Sequence, residues 1–122
     1  MALRIMIMAG GTGGHVFPAL AVADYLQNAG HMVSWLGTKK GIEATVVPEA
    51  GIEIDWLSVS GLRGKGLLSL LLAPIMLLKA CYQASNIIRR RQPDVILGLG
   101  GFASGPGGLM AWLHKTPLVI HE

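Results

Sequence analysis

Leu3-Arg4-Ile5-Met6-Ile7-Met8-Ala9, followed at once by Gly10-Gly11-Thr12-Gly13-Gly14-His15, is the stretch that decides the fold. A short, almost wholly apolar run that enters glycines suits a central parallel strand buried on both faces. Pro18 is expected to open the next helix, which runs through Ala29 with Leu20, Ala23 and Leu26 on one side and Gly30 as its stop. Between strand and helix, glycines let the backbone approach a ligand closely, and the amides and dipole of the helix favour an anion there. For a single loop of this kind, a tight turn without any ligand is the alternative.

Working outward, Met32 to Leu36 reads as a second strand and Ile42 to Ala50 as a short helix. Ile52, Ile54 and Trp56 alternate with Glu53 and Asp55, as in a half-exposed edge strand. A long helix is expected from about Leu67 to Arg91, ended by Pro93, and two more buried strands, Val95 to Leu97 and Leu118 to Ile120, flank a helix near Leu109. Strands alternating with helices imply a Rossmann-like α/β domain: a parallel sheet with right-handed crossovers, helices on both faces, and ligands outside the carboxyl ends of the strands. Five segments converge on that rim: Gly10 to His15, Gly37 to Gly41, Ser58 to Gly66, Leu99 to Gly105, and His121-Glu122.

The second glycine cluster, Gly98 to Gly108, follows the fourth strand on the same rim, and two such loops side by side argue for a phosphate ligand. Departures from familiar fingerprints narrow the choice. A dinucleotide site wants G-x-G-x-x-G and an acidic residue at the end of the second strand, but Val16 takes the last glycine position and Gly37-Thr38-Lys39 follows the strand. A P-loop needs a lysine that neither loop contains. His15, beside the first loop, can take a proton from a substrate hydroxyl near neutral pH, or it can fix the loop through a hydrogen bond. His31 and His114 read as structural or solvated, and His121 as lining the cleft or supporting a loop.

Composition sets the outer limits. With 122 residues, 52% hydrophobic and 14% charged, the chain supports one sizeable core and one domain, residues 1–122. A net charge of +3 from few charges and 6% aromatics speak against a nucleic-acid partner. Cys81 has no intramolecular partner, no signal peptide precedes the first strand, and a reducing cytoplasm is the expectation. No zinc or iron-sulfur ligand set, no glycosidase carboxylate pair and no Ser/His/Asp set is apparent. The ending Ile120-His121-Glu122, an apolar strand without a polar tail, reads as truncation.

The apolar run Leu67 to Leu78 is broken by Pro74 and followed by Lys79, short of the about 20 residues needed to span a bilayer. On a helix, Leu71, Ile75, Leu78 and Tyr82 share one stripe, while Leu70, Leu77, Ala84 and Ile88 lie nearly opposite. The second stripe continues with small alanines that pack closely, and the first gives way to Ser85, Asn86 and Arg89, so the first is expected outward. Flanked by Arg63, Lys65, Lys79 and Arg89-Arg90-Arg91, with Trp112 as an interfacial neighbour, it suits attachment to an anionic membrane surface. Burial against another helix or a further domain is the alternative. The loop Ser60 to Gly66 places Arg63 and Lys65 at the ligand rim, or leaves them solvated.

MAGGTGGHVFPALAVA (8–23), SGLRGKG (60–66), GLGGFASGPGG (98–108) and PLVIHE (117–122) resemble, in order and spacing, the N-terminal domain of the MurG family. These are the UDP-N-acetylglucosamine:N-acetylmuramyl-(pentapeptide)pyrophosphoryl-undecaprenol N-acetylglucosaminyltransferases of bacterial peptidoglycan synthesis. The resemblance implies the N-terminal, acceptor-binding domain of a two-domain GT-B enzyme that moves N-acetylglucosamine from UDP-N-acetylglucosamine to the C4 hydroxyl of lipid I, giving lipid II with inversion. It implies no tightly bound cofactor or metal, a C-terminal UDP-sugar domain that carries most of the donor site, and a place on the cytoplasmic face of the inner membrane. A first domain alone is expected to be inactive.

By the same resemblance, His15 matches the proposed general base, and Thr12, Gly13 and Gly14 lie near the transferred sugar. The second loop, with Gly100, Gly101, Ser104 and Gly105, matches the proposed acceptor-diphosphate site; from their places on the rim, Gly11 and Arg63 are added to that site, and His121 and Glu122 to the cleft lining. Phe102 stands where many members carry tyrosine. A module that binds anionic lipid or a cell-wall assembly partner without catalysis is the alternative function.

Overall fold

The computed structural model describes residues 2–10, 13–39, 41–57, 67–100 and 104–120. Among these, strands β1 (Arg4–Met8), β2 (Met32–Thr38), β3 (Glu53–Leu57), β4 (Val95–Gly98) and β5 (Leu118–Ile120) alternate with helices α1 (Gly13–Asn28), α2 (Glu43–Glu49), α3 (Leu67–Arg91) and α4 (Ser104–Leu113). The strands pair in parallel in the order β3-β2-β1-β4-β5. The α/β class and the order of elements are as expected. From β1 the chain builds outward to β3, then returns to the other side of β1 for β4 and β5.

That return makes β1 central and explains its unbroken apolar run. Ile5, Ile7 and Ala9 pack with Trp35, Val47 and Ile52 and with the α1 residues Val16, Ala19 and Ala23. Met6 and Met8 point the other way, onto Ala84, Ile87 and Ile88 of α3 and Ala111 of α4. Helices therefore cover both faces. Close approach on the second face depends on Gly107 of α4, where an added Cβ would collide with Met8 Sδ and come within 3.1 Å of Leu36 Cδ2.

Several expectations need correction. Helix α1 starts at Gly13, five residues before Pro18, which lies inside it. Proline forgoes the bond to the carbonyl four residues back and its ring crowds that carbonyl, but both effects fall in the first two turns, where they interrupt little of the ladder. Strand β2 continues to Thr38 rather than ending at Leu36.

Strand β3 is an edge strand as expected, but its polar residues do not all face water: Asp55 is buried. It accepts from Arg90 Nη2 at 2.5 Å and from Arg91 Nε at 2.7 Å and Nη2 at 3.2 Å, while Arg91 Nη1 also pairs with Glu53. Bonds to Asp55 first, and then to Glu53, push the Arg91 guanidinium above its already high range. A carboxylate facing the core is tolerated when cations are delivered to it, and here the last turn of α3 delivers two.

Helix α3 has two unlike halves. From Ala80 onward it buries Ala80, Cys81, Ala84, Ile87 and Ile88. Before that, none of the described side chains is buried. Leu71, Ile75, Leu78 and Tyr82 face outward as expected, but Leu77, assigned to the inner stripe, is also half exposed. The helix follows the parallel strand β3 and so enters from the carboxyl edge of the sheet.

Candidate functional site

Strand order reverses between β1 and β4, and at such a point the connections diverge and leave a crevice at the carboxyl ends. The turns leaving β1 and β4 meet there. Leu99 N donates to Met8 O at 2.8 Å, and Gly10 N donates to Gly100 O at 3.2 Å, so the two glycine-rich turns are joined through their backbones. Gly100 has φ +108°, a left-handed conformation that glycine adopts without strain.

His15 lies in the first turn of α1 and is exposed, and its imidazole packs on Gly100. A Cβ added at Gly100 would collide with Nδ1 and come within 2.7 Å of Cε1. One histidine thus rests on the backbone of a turn 85 positions later in the chain. The absence of a side chain at position 100 leaves room for the ring, whose Nδ1 side is the one nearest Gly100.

The root of the first turn is fixed from below. Trp35 Nε1 donates to Ala9 O at 2.8 Å in a fully buried setting. Glu43, the first residue of α2 and fully buried, accepts from Thr38 N at 3.1 Å and Thr38 Oγ1 at 3.3 Å. Its carboxylate lies against Gly10, where an added Cβ would overlap Oε2, and its Cγ lies 2.9 Å from a Cβ built on Gly37.

Sequence reasoning missed Glu43, because a lone glutamate on a short surface helix reads as solvated. The signal lay in Gly10 and Gly37, two strand-end positions without side chains that leave room for a third group.

Of the other candidates, Gly14 is exposed beside His15, Gly13 opens α1, and Ser104 and Gly105 form the start of α4 at the end of the second turn. That helix start shortens the second glycine loop: Gly107 and Gly108 belong to α4, and Gly107 serves packing. Gly11, Thr12, Arg63, Gly101, His121 and Glu122 lie outside the described residues, as do Lys65 and Phe102. His31 and His114 are structural: His31 Nδ1 accepts from Leu3 N at 3.0 Å, and His114 Nε2 shares a 2.7 Å hydrogen bond with Ser85 Oγ that ties α4 to α3.

The outward stripe is strongly exposed, with Leu71 at 69%, Leu78 at 70% and Tyr82 at 69%, and Trp112 on the adjacent α4 at 71%. Lys79 is exposed alongside. The Arg89 to Arg91 run does not flank the start of this stripe. At ~1.5 Å per residue it lies about 30 Å along the helix from Leu71, and Arg90 and Arg91 are already matched by Asp55 and Glu53. Among the described residues, no helix is long and apolar enough to cross a membrane.

Residues 5–122 match the family described as glycosyltransferase family 28 N-terminal domain. The chain is 66% identical over 122 residues to the UDP-N-acetylglucosamine--N-acetylmuramyl-(pentapeptide) pyrophosphoryl-undecaprenol N-acetylglucosamine transferase of Methylococcus capsulatus. It is 62% identical over 122 residues to the protein of that name from Nitrosococcus oceani. All of this chain is covered in both, and it spans 34% of each relative's length. The crystal structure of Acinetobacter baumannii MurG matches with TM-score 0.87 and 45% identity, covering 98% of this chain and 35% of that one. SnogD, a glycosyltransferase from Streptomyces nogalater, matches with TM-score 0.73 at 23% identity over 98% of this chain and 33% of its own, a likeness of fold.

Proposed function

This chain belongs to the glycosyltransferase family 28 N-terminal domain family, and from that premise we propose that it forms the acceptor side of an N-acetylglucosaminyltransferase. The acceptor is lipid I, undecaprenyl-pyrophosphoryl-N-acetylmuramyl-pentapeptide. The donor is UDP-N-acetylglucosamine, held mostly by a further domain. The observation that carries the reading is the meeting of two glycine-rich turns at the β1/β4 crevice with the His15 imidazole laid across the second.

In the proposed reaction, the acceptor C4 oxygen attacks the anomeric carbon of N-acetylglucosamine from the side opposite UDP. The new C–O bond forms as the bond to UDP breaks, UDP departs with that electron pair, and the configuration inverts. His15 takes the proton from the attacking hydroxyl, which needs a neutral imidazole within hydrogen-bond reach. Its exposure at the crevice and its support on Gly100 are consistent with that task.

Amides of Gly11, Gly100, Gly101 and Gly105, with the Ser104 hydroxyl and the Arg63 guanidinium, are assigned to the acceptor diphosphate. Such groups offer hydrogen-bond donors and a bidentate cation to an anion. Thr12, Gly13 and Gly14 are assigned to the donor sugar and His121 and Glu122 to the cleft lining. No protein-bound metal or cofactor is part of this scheme.

Helix α3 begins at the carboxyl edge of the sheet, the edge that carries the crevice. Its exposed stripe Leu71, Ile75, Leu78 and Tyr82, with Trp112 on α4, is therefore assigned to the membrane surface, where a lipid-linked acceptor must be met. For a cell-wall enzyme using a cytoplasmic nucleotide sugar, that surface is the inner face of the bacterial plasma membrane.

The test is transfer from UDP-N-acetylglucosamine to a soluble lipid I analogue by the full-length protein. The His15→Ala variant is expected to lose kcat by about 10²-fold or more with its fold intact. An unchanged kcat overturns the base assignment, and the absence of transfer by the native protein overturns the function.

A further inference from the structure

We propose that Glu43 is a positioning residue for this transfer: its buried carboxylate sets how the ends of β1 and β2 lie beneath the first glycine turn, and thereby where His15 stands. The inference rests on the function proposed above. Glu43 is 0% exposed, and its carboxylate lies between two backbone segments. On one side, Thr38 donates through both N and Oγ1. On the other, the Gly10 backbone passes so close that any side chain at that position would overlap the carboxylate, and Gly37 is pressed on its Cγ.

From Gly10 the connection to the reacting group is short. Gly10 N donates to Gly100 O, and Gly100 carries the His15 ring. A displaced Glu43 therefore moves the seam between the two turns. Packing alone would be served by an apolar side chain of the same size, at no cost in desolvation. A carboxylate accepting charge-assisted bonds from a backbone N–H and a hydroxyl adds a fixed geometry that an apolar group lacks.

The sign of the charge separates positioning from anion binding. A negative group under a turn that faces a diphosphate does not strengthen ground-state binding, because like charges repel. Its loss is therefore expected in kcat rather than in KM. Misplacement of catalytic groups by about 1 Å costs up to ~10²-fold in rate.

The experiment compares Glu43→Gln with Ile52→Ala in the full-length protein, with steady-state kinetics on a soluble lipid I analogue, thermal unfolding, and the His15 ring resonances by NMR. Ile52 is a buried member of the core cluster on the same face and has no contact with the turns among those described, so it serves as a matched loss of packing. Glu43→Gln is expected to lower kcat by about 10-fold to 10²-fold, to leave both KM values within about twofold, and to shift the His15 resonances, with none of this in Ile52→Ala. Thr38→Val, which removes only the hydroxyl donor, is expected to act in the same direction by less and serves if Glu43→Gln does not fold.

A kcat within twofold of native in a folded Glu43→Gln protein overturns the proposal. So does a kcat loss that Ile52→Ala reproduces. If the native protein transfers no sugar, the proposed function fails by itself. The ring resonances then decide the positional claim: a shift specific to Glu43→Gln supports it, and unmoved resonances overturn it.

Discussion

The crevice and the parts of the sheet away from it use the same residue types for opposite ends. At the carboxyl edge, His15 is exposed and rests on a glycine, and the carboxylate of Glu43 is buried against backbone. Away from the crevice, His31 at the amino edge is tied to Leu3 N, and the carboxylate of Asp55, midway along the outer strand β3, is held by Arg90 and Arg91. A histidine whose ring nitrogen is used by the backbone has a settled structural task. One that is exposed in a crevice is free for the role of base in the proposed reaction. The comparison teaches that burial and partner, rather than residue type, separate the reacting end of this domain from its clasp.

The comparison breaks if substitutions at the crevice and away from it produce the same phenotype. Beyond His15→Ala, the largest effect on turnover is expected from Gly100→Ala, because alanine is strained at φ +108° and its Cβ collides with the His15 ring. In the full-length protein kcat should fall about 10-fold or more through displacement of the base. Native kcat would show that the ring is not held there during reaction.

Asp55→Ala should do the reverse. Leaving two arginines without their carboxylate is expected to cost about 2 kcal/mol, below the usual figure for a broken buried pair because Arg90 is largely exposed. Urea unfolding measures the loss, and kcat per folded molecule should stay within about twofold. A selective loss of kcat would tie the Asp55 clasp to turnover and break the contrast.

His31→Ala sharpens the contrast with His15→Ala, since it leaves the half-buried Leu3 N–H without its acceptor for about 1 kcal/mol and does not touch turnover. The smallest effect on stability is expected from Leu71→Glu with Ile75→Glu. Both residues are more than half exposed, and the change should stay within ~0.5 kcal/mol. The same double variant should abolish sedimentation with anionic vesicles. Unchanged sedimentation would assign the stripe to another surface.

Part of the site was legible without coordinates. The glycine turns, and His15 beside the first of them, follow from strand-to-helix connections that gather on one rim of a parallel sheet. The inner face of β3 was not legible. Its alternation pointed Ile54 and Trp56 inward, whereas the arrival of Arg90 and Arg91 from α3 makes the Asp55 side buried. Glu43 stayed hidden for the same reason, since its partners are brought to it by β1 and β2.

By itself the sequence determined the class of the fold, the order of its elements and the outward face of α3, because strand and helix periodicities and turn glycines are local properties of the chain. Only the tertiary structure decided that Gly100 would carry His15, that Gly107 would serve packing, and that two carboxylates, Glu43 and Asp55, would be buried. Those outcomes depend on which distant segments meet, and the meeting is set by the packing of both faces onto a central β1.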